Sequence, residues 1–229
     1  MTGAFDYKKE YKDLYLPKTQ PSVIDIPEMA FIMVDGRGNP NTSEEYKNAL
    51  EILYGLSYSI KMSKKSGTAP TDYFEYVVPP LEGLWQGEAG YFNGTYITDK
   101  DKFIWTSMIR QPEFVTQDVF ETAKQALNKK KPGLDLSLAR LASLTEGVCA
   151  QIMHIGGYDN EPATIRILER FVIENGYVND ISESRKHHEI YLSDPRKMTP
   201  EKLKTVIRHP IAKEKGGSNE RINKATKHC

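Results

Sequence analysis

At 229 residues, 39% hydrophobic and 27% charged, the chain has room for one large globular domain or two small ones fused, and its composition is that of an ordinary soluble protein. Lys plus Arg and Asp plus Glu both number 31, so charge gives no case for a nucleic-acid partner. No stretch approaches the roughly 20 apolar residues of a membrane span, and Met1 to Glu10 lacks the apolar core of a secretion signal.

Cys149 and Cys229 make neither a disulfide framework nor a zinc spacing, which is consistent with a reducing, cytoplasmic compartment. The composition suggests no cofactor and no membrane partner, and the expected state is a monomer or weak homodimer.

Residues 1–26 read as an N-terminal arm, rich in Tyr and Lys, with Pro17 and Pro21 spacing it from the fold and Pro27 at its boundary. The apolar run Phe31-Ile32-Met33-Val34 predicts a buried strand, and Asp35 to Pro40 turns the chain. Thr42 with Glu45 forms a capping box for a helix whose Tyr46, Ala49, Leu50, Leu53, Leu56 and Ile60 recur at helical spacing. Ser66-Gly67 closes that helix. Strands are expected at Tyr73–Val78, Leu81–Trp85 and Lys102–Arg110, with a loop around Gly87–Asp99.

A second cycle begins after Pro112. Gln117–Leu127 is helical, Lys129–Gly133 is a linker, and Leu141–Met153 reads as a strand with a bulge near Glu146-Gly147. Gly156-Gly157 turns the chain into a helix over Glu161–Glu174, with Ile165, Leu168, Phe171 and Val172 inward and Asn175-Gly176 as its stop. Shifting the first half by about 118 positions lays Phe31–Val34 on Cys149–Ile152 and Leu50 on Leu168. The expected fold is therefore α+β: duplicated strand-helix-strand-strand units, about 27–112 and 113–212, sharing an antiparallel sheet. Helices are expected on one surface, a central ligand groove on the other, and a mobile tail over 213–229.

The most informative strand ends the second unit, at His188 to Leu192, and stops before Pro195. Alternation puts His187, Glu189 and Tyr191 on one face and His188, Ile190 and Leu192 on the other. If the Ile/Leu face meets the core, a carboxylate and a phenol look into the groove. The competing reading is a half-exposed Glu on an edge strand.

Several segments together resemble the GyrI-like small-molecule-binding family, in its stand-alone bacterial branch. They are Phe31 to Asn41, Pro80 to Trp85, Glu146 to Gly156, Glu161-Pro162 and His188 to Arg196, within a likeness spanning roughly residues 5–212. The resemblance implies the same duplicated fold and a groove for bulky, often cationic aromatic compounds with a central glutamate, a position on which Glu189 falls. Some members carry an N-terminal helix-turn-helix, for which the arm here is too short, so direct gene regulation is not expected. Stand-alone relatives include hydrolases of cyclopropanoid DNA-alkylating natural products of the yatakemycin and duocarmycin type.

A groove holding a planar electrophile needs rings to stack on it, and Trp85, Trp105, Tyr191, Phe74 and Tyr76 are the candidates; each tryptophan has core packing as its alternative. In a regular strand Trp85 faces away from Glu82, unless Gly83 breaks the alternation. Hydrolysis needs a base for water, assigned to Glu189, and a donor or second polar anchor, for which Glu82 and Tyr191 are the candidates. His187 completes the ligand-binding face. His187, His188, Glu189 and Asp194 resemble a metal cluster, but neighbours on a strand diverge, so no metal is expected. Cys149 and His154 point to opposite faces and make no nucleophilic pair, and Gly36 to Gly38 lacks the lysine of a phosphate loop.

Overall fold

In the computed structural model, which describes residues 3–87 and 99–214, the chain opens with two single-turn helices, α1 (Tyr7–Glu10) and α2 (Lys12–Tyr15). Strands β1 (Ser22–Ile26) and β2 (Met29–Arg37) follow, separated only by Pro27 and Glu28. Helix α3 (Glu44–Lys61) packs on β2 through Tyr46, Ala49, Ile52, Leu53, Leu56 and Ile60. Its cap is Ser43, whose hydroxyl accepts the Tyr46 N–H, one residue beyond the Thr42 expected.

Tyr73–Val78 is not a strand: apart from a single bridge between Tyr76 and Phe5, it is irregular up to Pro79 and Pro80, which lack the N–H a ladder needs. Strands β3 (Leu81–Gly87) and β4 (Phe103–Arg110) complete the first unit. Helix α4 (Gln117–Lys130) lies against α3 and continues through Lys129 and Lys130, where a linker was expected. The second unit comprises β5 (Ala139–Leu144), β6 (Gly147–Ile155), α5 (Glu161–Glu174), β7 (Tyr177–Asn179), β8 (His187–Tyr191) and β9 (Lys204–Lys213). Of the expected tail, Lys213 is the last residue of β9, and 215–229 lie outside the described residues, as does most of the Gly87–Asp99 loop.

All strand pairs are antiparallel, in the order β1-β6-β9-β8-β3-β4-β2-β5, with β7 on the C-terminal end of β9. The expected bulge at Glu146-Gly147 is a full break, with Gly147 at φ +65° in the left-handed region that glycine tolerates. The ladder Ser22↔Gln151 to Ile26↔Gly147 continues without a shift into Met29↔Leu144 to Val34↔Ala139. Thus β1–β2 and β5–β6 are two long bent strands paired along their length, each shared between the two units. β1, within the stretch expected as a free arm, is part of the sheet.

The duplication is visible in the registers. Phe31 pairs with Arg110 in the first unit as Cys149 pairs with Pro210 in the second. Gly83 pairs with Ser107 as Glu189 pairs with Ile207, which makes Gly83 the counterpart of Glu189; the two also face each other where β3 meets β8.

Both long helices of the repeat cover one face. Tyr46 of α3 packs on Trp85 and Trp105, and Ile165, Leu168 and Val172 of α5 pack with Ile152, Ile207 and Ile211. The N-terminal arm crosses the other face: Arg208 donates to the Leu14 carbonyl, Gln151 to the Asp13 carbonyl, and Tyr15 to Glu82. The Arg110 guanidinium lies 4.6 Å from the ring centres of both Tyr7 and Tyr11, which fastens the arm further. The groove therefore does not open on the face away from the helices, as expected. It lies on the helix face, between α3 and α5.

Candidate functional site

The groove encloses about 1050 Å³. Its floor is β3 and β8, one wall is α3 with Tyr46, Leu50 and Tyr54, and the other is the start of α5 with Tyr158, Glu161 and Ile165. Alternation on β8 turns His187, Glu189 and Tyr191 into it, while Ile190, 1% exposed, packs into the core behind.

Glu189 sits at the centre, its side chain 14% exposed. Its Oε2 accepts the Tyr191 hydroxyl at 2.7 Å, and its Oε1 lies 2.9 Å from His187 Nε2. The Trp85 indole N–H donates to the Tyr191 hydroxyl at 2.8 Å, so a tryptophan and a tyrosine from adjacent strands form one chain ending on the carboxylate. This chain depends on Gly83: a Cβ there would stand 2.7 Å from the Trp85 ring nitrogen and 3.2 Å from the Tyr191 hydroxyl oxygen.

Three neighbouring groups have shifted acidity. Burial, then the charge of Glu189, pushes the Glu161 carboxyl well above the ordinary carboxylate range, and a hydrogen bond with Glu189 adds to the effect. The first two causes also raise Tyr191 far above the usual phenol value and keep its hydroxyl a donor. Tyr158, edge-on to the Tyr191 ring at 5.9 Å, is pushed up to about 12 by burial and by Glu161 and Glu189. The groove thus holds one carboxyl pushed toward its acid form beside another that accepts from a phenol.

Of the residues singled out from sequence, Glu189, Tyr191, Trp85 and His187 are brought together. Glu82 is not. It pairs with Ile190, on the opposite face of the sheet from Glu189, because residues next to one another on a strand point opposite ways. There it is buried against His188 at 3.0 Å and accepts from Tyr15 at 3.3 Å. A place for Glu82 beside the groove is therefore corrected.

Trp105 shares the face of Trp85, its cross-strand partner, but it is fully buried beneath Tyr46, with ring centres 5.0 Å apart. It fits there because Gly36 has no side chain: a Cβ at that position would come within 2.2 Å of the indole. Phe74 and Tyr76 pack with Phe5 and Phe114 in an aromatic cluster under the arm, away from the groove. All three rings serve packing rather than lining.

Glu161 and Tyr158 were not singled out from sequence. The available signal was the Glu161-Pro162 pair opening α5, which sets an acid at the first turn of a helix beside the groove. Tyr46 read as core from its helical spacing, and it is both buried and groove-lining.

On the arm side, Glu82, Glu146, His188 and Arg208 form a second buried charged group. His188 lies 3.0 Å from both carboxylates, and Arg208 donates to Glu146 at 2.9 Å. Burial opposes both charges, but the attraction wins: Glu146 is pulled down to about 2 by His188 and Arg208, and His188 is raised to about 9 by Glu146 and Glu82. Among the described residues no group of His, Cys, Asp or Glu is arranged to hold a metal ion, and no helix is long and apolar enough to cross a membrane.

The family model for the GyrI-like small molecule binding domain matches residues 19–212. A Listeria innocua protein described as a hydrolase is 46% identical, covers 91% of this chain and 100% of its own, and superposes with a TM-score of 0.83. An uncharacterized conserved protein from the same organism is 48% identical over 91% of this chain and 100% of its own, with a TM-score of 0.86. The C-terminal domain of EcmrR, 14% identical over 85% of this chain and 98% of its own, shares the fold with a TM-score of 0.50. No curated protein matches. A groove of this size with a carboxylate among rings, on a duplicated strand-helix-strand-strand frame, agrees with the match over nearly the whole chain: the protein belongs to the GyrI-like small-molecule-binding domain family.

Proposed function

We propose that the groove binds planar aromatic electrophiles and adds water to them, with Glu189 as general base, and that cyclopropanoid DNA-alkylating toxins are its substrates. The observation carrying this reading is the pairing of Glu189, which accepts from Tyr191, with the buried Glu161, whose carboxyl is pushed toward its acid form by burial and by Glu189. One site then offers an acceptor for a water proton and a donor for the oxygen on which charge develops. Trp85, Tyr46 and Tyr158 supply ring surface for a flat substrate. The Listeria relative described as a hydrolase adds support for water-adding chemistry.

In this reaction Glu189 takes a proton from water as the water oxygen bonds to the cyclopropane methylene. The bond from that carbon to the ring breaks, and its electron pair aromatises the conjugated dienone. The phenolate oxygen so formed takes the proton of Glu161. Return of a proton from Glu189 to Glu161 through solvent restores both groups, and the net change is addition of one water. Such a protein would act in detoxification, in the cytoplasm of a bacterium.

A second reading, sequestration or sensing of lipophilic cations without turnover, is favoured by the same carboxylate lying among the rings of Tyr46, Trp85 and Tyr191. Incubation with a cyclopropanoid alkylator in ¹⁸O-labelled water separates the two. Hydrolysis yields ring-opened product carrying the label above the uncatalysed rate, whereas binding alone leaves the alkylator intact.

A further inference from the structure

The hydrogen-bond chain of Glu189 continues away from the groove. His187 Nε2 lies 2.9 Å from Glu189 Oε1, and His187 Nδ1 lies 2.7 Å from His209 Nε2. Both imidazoles are 1% exposed, and their rings meet edge to face at 4.9 Å between β8 and β9. Burial, together with His187, holds His209 well below the ordinary histidine range, which favours its neutral form.

A neutral imidazole donates from one nitrogen and accepts at the other, so a chain of two neutral imidazoles has two possible directions. If His209 donates from Nε2, His187 accepts at Nδ1 and carries its own proton on Nε2, where it donates to Glu189. If the direction reverses, a bare His187 Nε2 faces Glu189 Oε1, and the pair is satisfied only by a proton on the carboxyl. Tyr191 already donates to the other carboxylate oxygen. The first direction matches an acceptor carboxylate held from both sides, with its remaining lone pairs turned to the groove.

We propose that His209 is a positioning residue that fixes His187 in its Nε2–H tautomer, so that His187 and Tyr191 both donate to Glu189 and aim its carboxyl at groove water. This rests on Glu189 acting as general base. His209 never meets substrate; it acts through His187, as an outer partner orients a ligating or catalytic imidazole elsewhere.

The test is ¹⁵N NMR of the full chain with labelled histidine, assigned by comparison with H187Q and H209Q. At neutral pH, His187 is expected to show a protonated Nε2 and a bare Nδ1, and His209 a protonated Nε2. His209→Leu removes the donor: the His187 tautomer should change, and kcat for alkylator hydrolysis should fall on the order of 10-fold with KM little changed. His209→Gln, whose amide N–H stands near the ring Nε2 position, should restore both. A His187 protonated at Nδ1, or at both nitrogens, overturns the proposal, as does an unchanged His187 tautomer in H209L. The wild-type spectrum alone decides the tautomer if a variant fails to fold. If the spectra are as expected while the wild type turns over no alkylator, the tautomer assignment stands and the general-base reading falls.

Discussion

Gly83 and Glu189 are cross-strand partners at the junction of the two units, and each occupies in its own unit the place the other occupies in its counterpart. The absence of a side chain at Gly83 is what lets the Trp85 indole lie across β3 and reach the Tyr191 hydroxyl, which in turn binds the carboxylate. One copy of the repeat supplies the acid and the other supplies the space. A site built this way cannot be symmetric.

Gly83→Ala should therefore damage the groove more than the fold. The added methyl stands 2.7 Å from the indole nitrogen, so Trp85 must move and its 2.8 Å bond to Tyr191 is lost. Overpacking of this kind costs on the order of 1–3 kcal/mol. Affinity for a planar aromatic ligand, followed by tryptophan fluorescence, is expected to fall roughly 10-fold while the chain still unfolds cooperatively. Wild-type affinity in this variant would show that Trp85 does not shape the site.

Tyr191→Phe keeps the ring and removes the hydroxyl that joins Trp85 to Glu189. The carboxylate loses one of its holding contacts and the indole N–H loses its acceptor. Turnover should drop on the order of 10-fold with a smaller change in ligand affinity. Steady-state kinetics checks this directly, and a larger effect on KM than on kcat would speak for a binding role instead.

Glu161→Gln preserves shape and can still donate a hydrogen bond, but it cannot release a proton to a developing phenolate. If Glu161 is the acid, kcat falls on the order of 10²-fold, with ligand binding retained. Activity near the wild-type level would remove Glu161 from the reaction.

The buried group on the arm side makes stability depend on pH from both directions. His188 titrates at about 9 when folded against 6.5 as its ordinary value, so its contribution is complete below pH 6.5 and is lost as pH rises through 9. Glu146 titrates at about 2 against 4.5, so its contribution is complete above pH 4.5 and is lost as pH falls through 2. Between those limits both are intact. Chemical denaturation across pH should show a plateau between the two ordinary values and a decline on the alkaline side that His188→Gln removes. An alkaline limb unchanged in that variant would place its cause elsewhere.

The β8 face could be read directly, because alternation of polar and apolar residues fixes which side chains share a side, and Pro195 marks where the strand region must end. Trp85 followed from the same parity: facing away from Glu82 is what brings it to Glu189. Glu82 could not be placed beside or away from Glu189 in this way, since that depends on its pairing with Ile190 of β8, with four strands between them in sequence. The groove side depended on the arm, whose Tyr15, Leu14 and Asp13 cover the face that looked free. Helical periodicity marks a buried stripe without saying whether its edge meets core or cavity, which is why Tyr46 read as packing alone. Glu161 lies outside any apolar pattern, and its proximity to Glu189 arises only when α5 folds back over the sheet.

The central claim is that Glu189 removes a proton from water in the groove, and Glu189→Gln tests it most directly when binding and turnover are measured on the same cyclopropanoid alkylator. The amide keeps the size of the side chain while removing its basicity. Unchanged ligand binding with ring-opened, water-added product formed on the order of 10²–10⁴-fold more slowly is the result this mechanism requires. Equal turnover by the two proteins, or no turnover by the wild type above the uncatalysed rate, would contradict it.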